Sequence, residues 1–105
     1  MNDEDNGLKL LISYNINLEN SQEYYEFVLG KYIPVMQSFG LEMSEAWHTV
    51  IGEYPNRLIG FVSRDSDILR DVMAGEIWDE LDDELRNHVT ELDYKVIPYK
   101  LGFQL

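Results

Sequence analysis

LKLLISYNINL, residues 8–18, is the stretch on which the fold turns. Leu8, Leu10, Ile12, Tyr14, Ile16 and Leu18 alternate with Lys9, Leu11, Ser13, Asn15 and Asn17. That is the period of two of a strand with one fully apolar face. Such a strand needs a layer to cover it, and the residues that follow supply one.

After residue 18 the period changes. Asn20 and Glu23 have the spacing of a capping box, and Tyr24, Val28, Tyr32, Val35 and Phe39 then recur at helical intervals. Pro34 lies inside this helix, where a missing N–H and a clash with the Gly30 carbonyl predict a kink. Gly40 suits a left-handed C-terminal cap. A second strand spans about Leu41 to Ile51. Met43, Glu45, Trp47, Thr49 and Ile51 are read on one face and Glu42, Ser44, Ala46, His48 and Val50 on the other. Gly52 to Asn56 carries turn residues, and Arg57 to Ser63 makes a third strand, so a hairpin joins the two. Asp65 or Ser66 caps the next helix, which Gly75 divides into two segments. A fourth strand begins near Leu92. Its apolar phase switches at Val96-Ile97 beside Pro98, which predicts a bulge on an edge strand there.

The order β-α-β-β-α-β, with right-handed helical crossovers, predicts an α+β fold of ferredoxin-like type. It has a four-stranded antiparallel sheet with helices on one face. Residues 1–7 are read as a disordered acidic lead-in and residues 8–105 as a single domain. Both sheet faces carry apolar residues: Leu11 lies opposite the Leu10 face, and Leu58 and Val62 lie opposite Ile59 and Phe61. A second apolar face predicts a homodimer packed sheet against sheet, against the alternative of a monomer with one unusually apolar surface.

The chain has 105 residues, with 20 acidic against 8 basic ones and a formal net charge of −12. Nucleic acids and anionic lipid repel such a surface, because affinity for them comes largely from Lys and Arg. With no cysteine, the chain has no disulfide, thiolate metal site or Cys nucleophile. The polar start and the lack of a long apolar run predict a cytoplasmic protein with no membrane association. No nucleotide-binding, hydrolase or metalloprotease motif occurs, and no cofactor is expected.

These features resemble the dimeric α/β-barrel superfamily and, within it, NIPSNAP-like domains. The resemblance rests on the passage from Tyr32-Ile33-Pro34 to Phe39-Gly40-Leu41, the hairpin closing in Arg57–Ser63, and the split helix with Glu76-Ile77-Trp78. It covers about residues 8–100, and these are structural residues. The resemblance implies two ferredoxin-like protomers sharing a barrel, and a small-molecule cleft between each sheet and its helices. Members of the superfamily include cofactor-independent monooxygenases, haem-degrading enzymes and lactone isomerases. None of their catalytic sets maps residue by residue onto this chain.

Candidate chemistry is sparse. His48 is the candidate proton acceptor, its plain alternative being a strand histidine satisfied by a neighbour. Trp47, Tyr14, Phe61 and Tyr94 on strands, with Tyr24, Tyr25 and Tyr32 on the first helix, are candidates to line a pocket for a small apolar or aromatic ligand. Their alternative is ordinary core. Glu76, Glu80 and Glu84 form an acidic helix face, read as a solvated surface or as a dock for a basic partner. The function expected is that of a small-ligand-binding or interaction module. The alternatives are a cofactor-independent monooxygenase or isomerase and an acidic docking module.

Overall fold

A computed structural model describes residues 7–17, 19, 21–48 and 57–99. Strand β1 (Gly7–Ile16) buries Leu10, Ile12, Tyr14 and Ile16, while Leu11, Ser13 and Asn15 are only half-buried. The alternation of residues 8–16 has thus become the alternation of burial. Helix α1 (Ser21–Phe27) follows, then one π-helical turn (Val28–Tyr32) and helix α2 (Ile33–Ser38). Strands β2 (Glu42–His48) and β3 (Arg57–Ser63) come next. Helices α3 (Ser66–Met73) and α4 (Glu76–Arg86) lead to strand β4 (Val89–Tyr99).

The four strands form one antiparallel sheet in the order β2-β3-β1-β4. This is the ferredoxin-like arrangement expected from the element order. Register aligns Leu10 with Phe61 and Ile12 with Ile59. Those side chains share one buried face with Tyr24, Phe27, Val28, Tyr32 and Met36 from the first helical layer. Leu69, Trp78, Leu81 and Leu85 from α3 and α4 complete the core. On the other face Leu11 aligns with Gly60 and Ser13 with Leu58, and no described element packs over them. No helix among the described residues is long and apolar enough to cross a membrane.

Several local expectations hold. Gly40 has φ of 94°, the left-handed cap of α2. Asp65 caps α3, its Oδ1 accepting from the Asp67 N–H at 2.8 Å, and Gly75 precedes α4 as its N-cap. The Asn20 cap, the turn at residues 52–56 and residues 1–6 lie outside the described residues.

Three expectations are corrected. The kink at Pro34 is the π turn itself, in which the Ile33 N–H bonds back to the Val28 carbonyl. Widening that turn restarts the helix at Ile33, so Pro34 falls in a first turn, where a missing N–H costs nothing. In β2 the strict alternation fails: the register shifts between Met43 and Glu45, leaving Ser44 as a bulged residue. Met43 therefore aligns with Phe61 on the helix side, whereas Glu45 aligns with Gly60 and Trp47 with Leu58 on the opposite side. In β4 the ladder runs unbroken from Tyr99 to Asp93, so no bulge lies at Val96-Ile97. The shift comes at Glu91, which has φ of 54° and whose Oε2 accepts from Asn15 Nδ2 at 2.7 Å. The apparent phase switch arises because Val96 and Ile97 occupy opposite faces, both of them apolar. Pro98 is accommodated because β4 is an edge strand.

Candidate functional site

The layer between sheet and helices is mostly apolar and carries a row of phenol hydroxyls. Tyr14 projects from the middle strand, and its hydroxyl lies 2.5 Å from that of Tyr24 on α1. Their rings meet edge to face, 5.7 Å apart. Tyr32, at the end of the π turn, is 1% exposed, and its hydroxyl lies beside Tyr94 without a hydrogen bond of ordinary geometry. The Tyr94 hydroxyl donates instead to Asp82 Oδ1 at 2.7 Å, and Arg86 Nε reaches Asp82 Oδ2 at 2.9 Å. Trp78 packs its ring 4.8 Å from that of Tyr94.

Burial is the main cause that raises the pKa of all four phenols. For Tyr14 the neighbouring Tyr24 adds to it, and for Tyr94 so do Tyr32 and the bond to Asp82. For Tyr24 the bond with Tyr14 and the nearby Arg57 charge oppose it. The four therefore stay protonated at neutral pH and act as hydrogen-bond donors, not as phenolate bases. The layer is thus a packed apolar core that carries a few convergent hydroxyls, with Tyr14, Tyr24 and Phe61 fully buried.

Arg57 closes one end of the row. It aligns with Tyr14 in the ladder, its guanidinium reaches the Tyr24 hydroxyl, and its Cζ lies 5.6 Å from the centre of the Tyr25 ring. Its Nε–H is buried and makes no hydrogen bond among the described residues. Arg57 and Asp82 were not singled out from the sequence. Both owe their place to register across strands and helices, and neither carries a local motif.

The candidate pocket residues divide between the two faces. Tyr14, Phe61 and Tyr94 line the sheet–helix layer together, with Tyr24 and Tyr32 from the first helical layer. Trp47 lies on the opposite face, 62% exposed, with its Nε1 donating to Glu45 Oε2 at 3.1 Å. The backbone of His48 pairs with Arg57 at the end of β2, and its side chain lies outside the described part. Among the described residues no group of three or more His, Asp or Glu side chains could hold a metal ion.

A hollow of about 310 Å³ opens among Glu42, Met43, Ser44, Val62, Arg64 and Tyr99. Its charges are already paired: Arg64 lies 3.5 Å from Glu42, and beside it Lys9 is bound to Glu45 and sits over the Tyr99 ring. Such a hollow offers a ligand little that is unspent.

No protein-family model matches the chain, and no curated protein matches it in sequence. Solved structures do match it in shape. A NIPSNAP family protein from Agrobacterium tumefaciens is 13% identical, with a TM-score of 0.64 over 87% of this chain and 90% of that one. The hydroxynitrile lyase of Passiflora edulis is 11% identical, with a TM-score of 0.70 over 95% of this chain and 99% of that one. A Bacteroides thetaiotaomicron protein, proposed to be an antibiotic biosynthesis monooxygenase, is 19% identical, with a TM-score of 0.63 over 97% of this chain and 98% of that one. Likeness at such identities is likeness of fold, and by that measure the chain has the ferredoxin-like α+β fold that the NIPSNAP structures also have.

Proposed function

We propose that this domain binds a small aromatic ligand between its sheet and its helices, and that it works as a homodimer closed through the opposite sheet face. One observation carries the ligand reading: the buried Tyr32 hydroxyl, although beside Tyr94, makes no hydrogen bond of ordinary geometry among the described residues. An unsatisfied hydroxyl at such depth is costly unless an acceptor joins it. Because the surrounding phenols are held neutral, the acceptor they suit is an uncharged or anionic oxygen on an otherwise apolar molecule. A thermal-shift series with benzaldehyde, acetophenone, phenol and haem tests this. At least one of these should raise the melting temperature, and Tyr32→Phe should reduce that rise. No shift with any of the four would contradict the reading.

The dimer is supported by the face around Leu11, Leu58 and Trp47, over which no described element packs. A second copy suits it because the face mixes signs, with Lys9 and Lys95 beside Glu45 and Asp93, whereas α4 is overwhelmingly acidic.

A second reading, that of an enzyme, is favoured by the ladder. Register sets His48, Arg57 and Tyr14 in one row across three adjacent strands. Two matched structures are named for enzymes, a lyase and a proposed monooxygenase. Cleavage of mandelonitrile to benzaldehyde and hydrogen cyanide, followed by absorbance, is a direct assay. Under this reading turnover is expected, and His48→Ala abolishes it. Equal turnover in that variant would remove His48 from the role.

A further inference from the structure

Resting on the ligand reading above, we infer that Arg57, with the Tyr24 and Tyr14 hydroxyls, is a recognition point for a carboxylate, so that the ligand is a small aromatic acid. In a chain with 20 acidic residues and only 8 basic ones, an arginine has carboxylates in plenty to choose from. Arg64, Arg70 and Arg86 each have one, on Glu42, Asp67 and Asp82. Arg57 has none among the described residues. It is also the more enclosed of these arginines, half-buried where the other three are exposed. A guanidinium keeps its charge and presents N–H groups in a planar fork that matches a carboxylate.

What surrounds Arg57 prepares it for an incoming group. One side of the guanidinium approaches the Tyr25 ring, with Cζ 5.6 Å from its centre, which orients the plane without neutralising the charge. The buried Nε–H remains without an acceptor. Next to it the Tyr14 and Tyr24 hydroxyls share one short contact of 2.5 Å. Two hydroxyls bonded to each other use one proton between them, so the second is left to donate elsewhere. A carboxylate oxygen placed there would accept from Arg57 Nε and from one tyrosine at once. Its aromatic body would then lie beside Tyr25, which is half-buried like Arg57. By contrast the exposed hollow near Arg64 has its guanidinium already opposite Glu42.

The test is an amide and arginine Nε–H NMR titration of the full chain with benzoate, alongside benzaldehyde as the uncharged analogue. A ligand of so few atoms binds in about the millimolar range. Benzoate should shift the Arg57 Nε–H resonance downfield and bind about tenfold or more tighter than benzaldehyde. Arg57→Gln should weaken benzoate by about ten- to hundredfold and benzaldehyde by clearly less. Arg57→Lys should fall between the two, and Arg64→Gln should have no effect. The melting temperature of each free variant shows that it remains folded. Equal binding of benzoate and benzaldehyde, unaffected in Arg57→Gln, would overturn the carboxylate assignment while leaving the ligand site standing. Failure of both probes to bind would overturn the assignment and the ligand reading together.

Discussion

At the scale of single residues, the account turns on hydroxyl groups that apolar surroundings make expensive. Tyr14 and Tyr24 bond to each other at 2.5 Å, whereas Tyr32, beside Tyr94, makes no hydrogen bond of ordinary geometry among the described residues. The two situations predict opposite responses to the same chemical change. Tyr14→Phe removes one of the two partners of the Tyr24 hydroxyl, leaving Arg57, and should cost about 1 kcal/mol in urea denaturation. Tyr32→Phe removes a group that is already unsatisfied, and should be neutral or stabilising by up to about 1 kcal/mol. A loss as large as that of Tyr14→Phe would mean that the Tyr32 hydroxyl has a strong partner. Titration gives an independent check. Folding raises the pKa of Tyr14, Tyr24, Tyr32 and Tyr94, so their share of stability is complete below the unfolded value near 10 and is lost as pH rises beyond it. Phenolate absorbance should therefore show Tyr14, Tyr32 and Tyr94 silent near pH 10 until alkaline unfolding exposes them, with Tyr24 titrating later than an exposed phenol. At this scale the sequence was partly legible. The tyrosines stood out as a group because their strand and helix periods point them inward. Arg57 did not stand out, because its significance lies in having Tyr14 beside it in the ladder, which depends on hairpin register.

At the scale of elements, two irregularities place the site. The π turn at Val28–Tyr32 delivers Tyr32 into the core and lets Pro34 begin a new helix. The bulge at Ser44 turns Met43 to the helix side and Trp47 away from it. Gly60 is the counterpart of that bulge. A Cβ built there would come within 2.7 Å of Ser44 Oγ and 3.0 Å of Glu45 Cγ. Gly60→Ala should accordingly destabilise by about 1–3 kcal/mol through overpacking. Adding Ser44→Gly should recover part of that loss, as a double-mutant cycle would measure. No recovery would place the strain elsewhere. The strong alternation of residues 8–16 made β1 plain from sequence, and with it the layer order. Residues 42–48 were harder, because a single extra residue exchanges the two faces of everything beyond it. The glycine within β3 was the available sign of close approach by a neighbouring strand.

At the scale of the whole molecule, the sheet separates two surfaces of different character. One is closed by helices over the tyrosine row. The other presents Trp47, Leu11 and Leu58 with charges of both signs. If the open face joins two copies, Trp47→Glu should convert a dimer to a monomer in sedimentation experiments, and a change on the acidic outer face of α4, such as Glu80→Gln, should not. A wild-type chain that sediments as a monomer at high concentration would contradict the dimer. The element order was enough to anticipate both layers, because right-handed crossovers leave few alternatives for β-α-β-β-α-β. Function was far less legible, since the structural residues that specify this fold do no chemistry and the same fold serves several activities. The central claim is that the sheet–helix layer is the ligand site, and mapping amide shifts during a benzaldehyde titration of the wild-type chain tests it most directly. The account predicts shifts concentrated at Tyr14, Tyr24, Tyr32, Phe61 and Tyr94. Shifts confined to Leu11, Trp47 and Leu58 on the open face, or none at all, would contradict it.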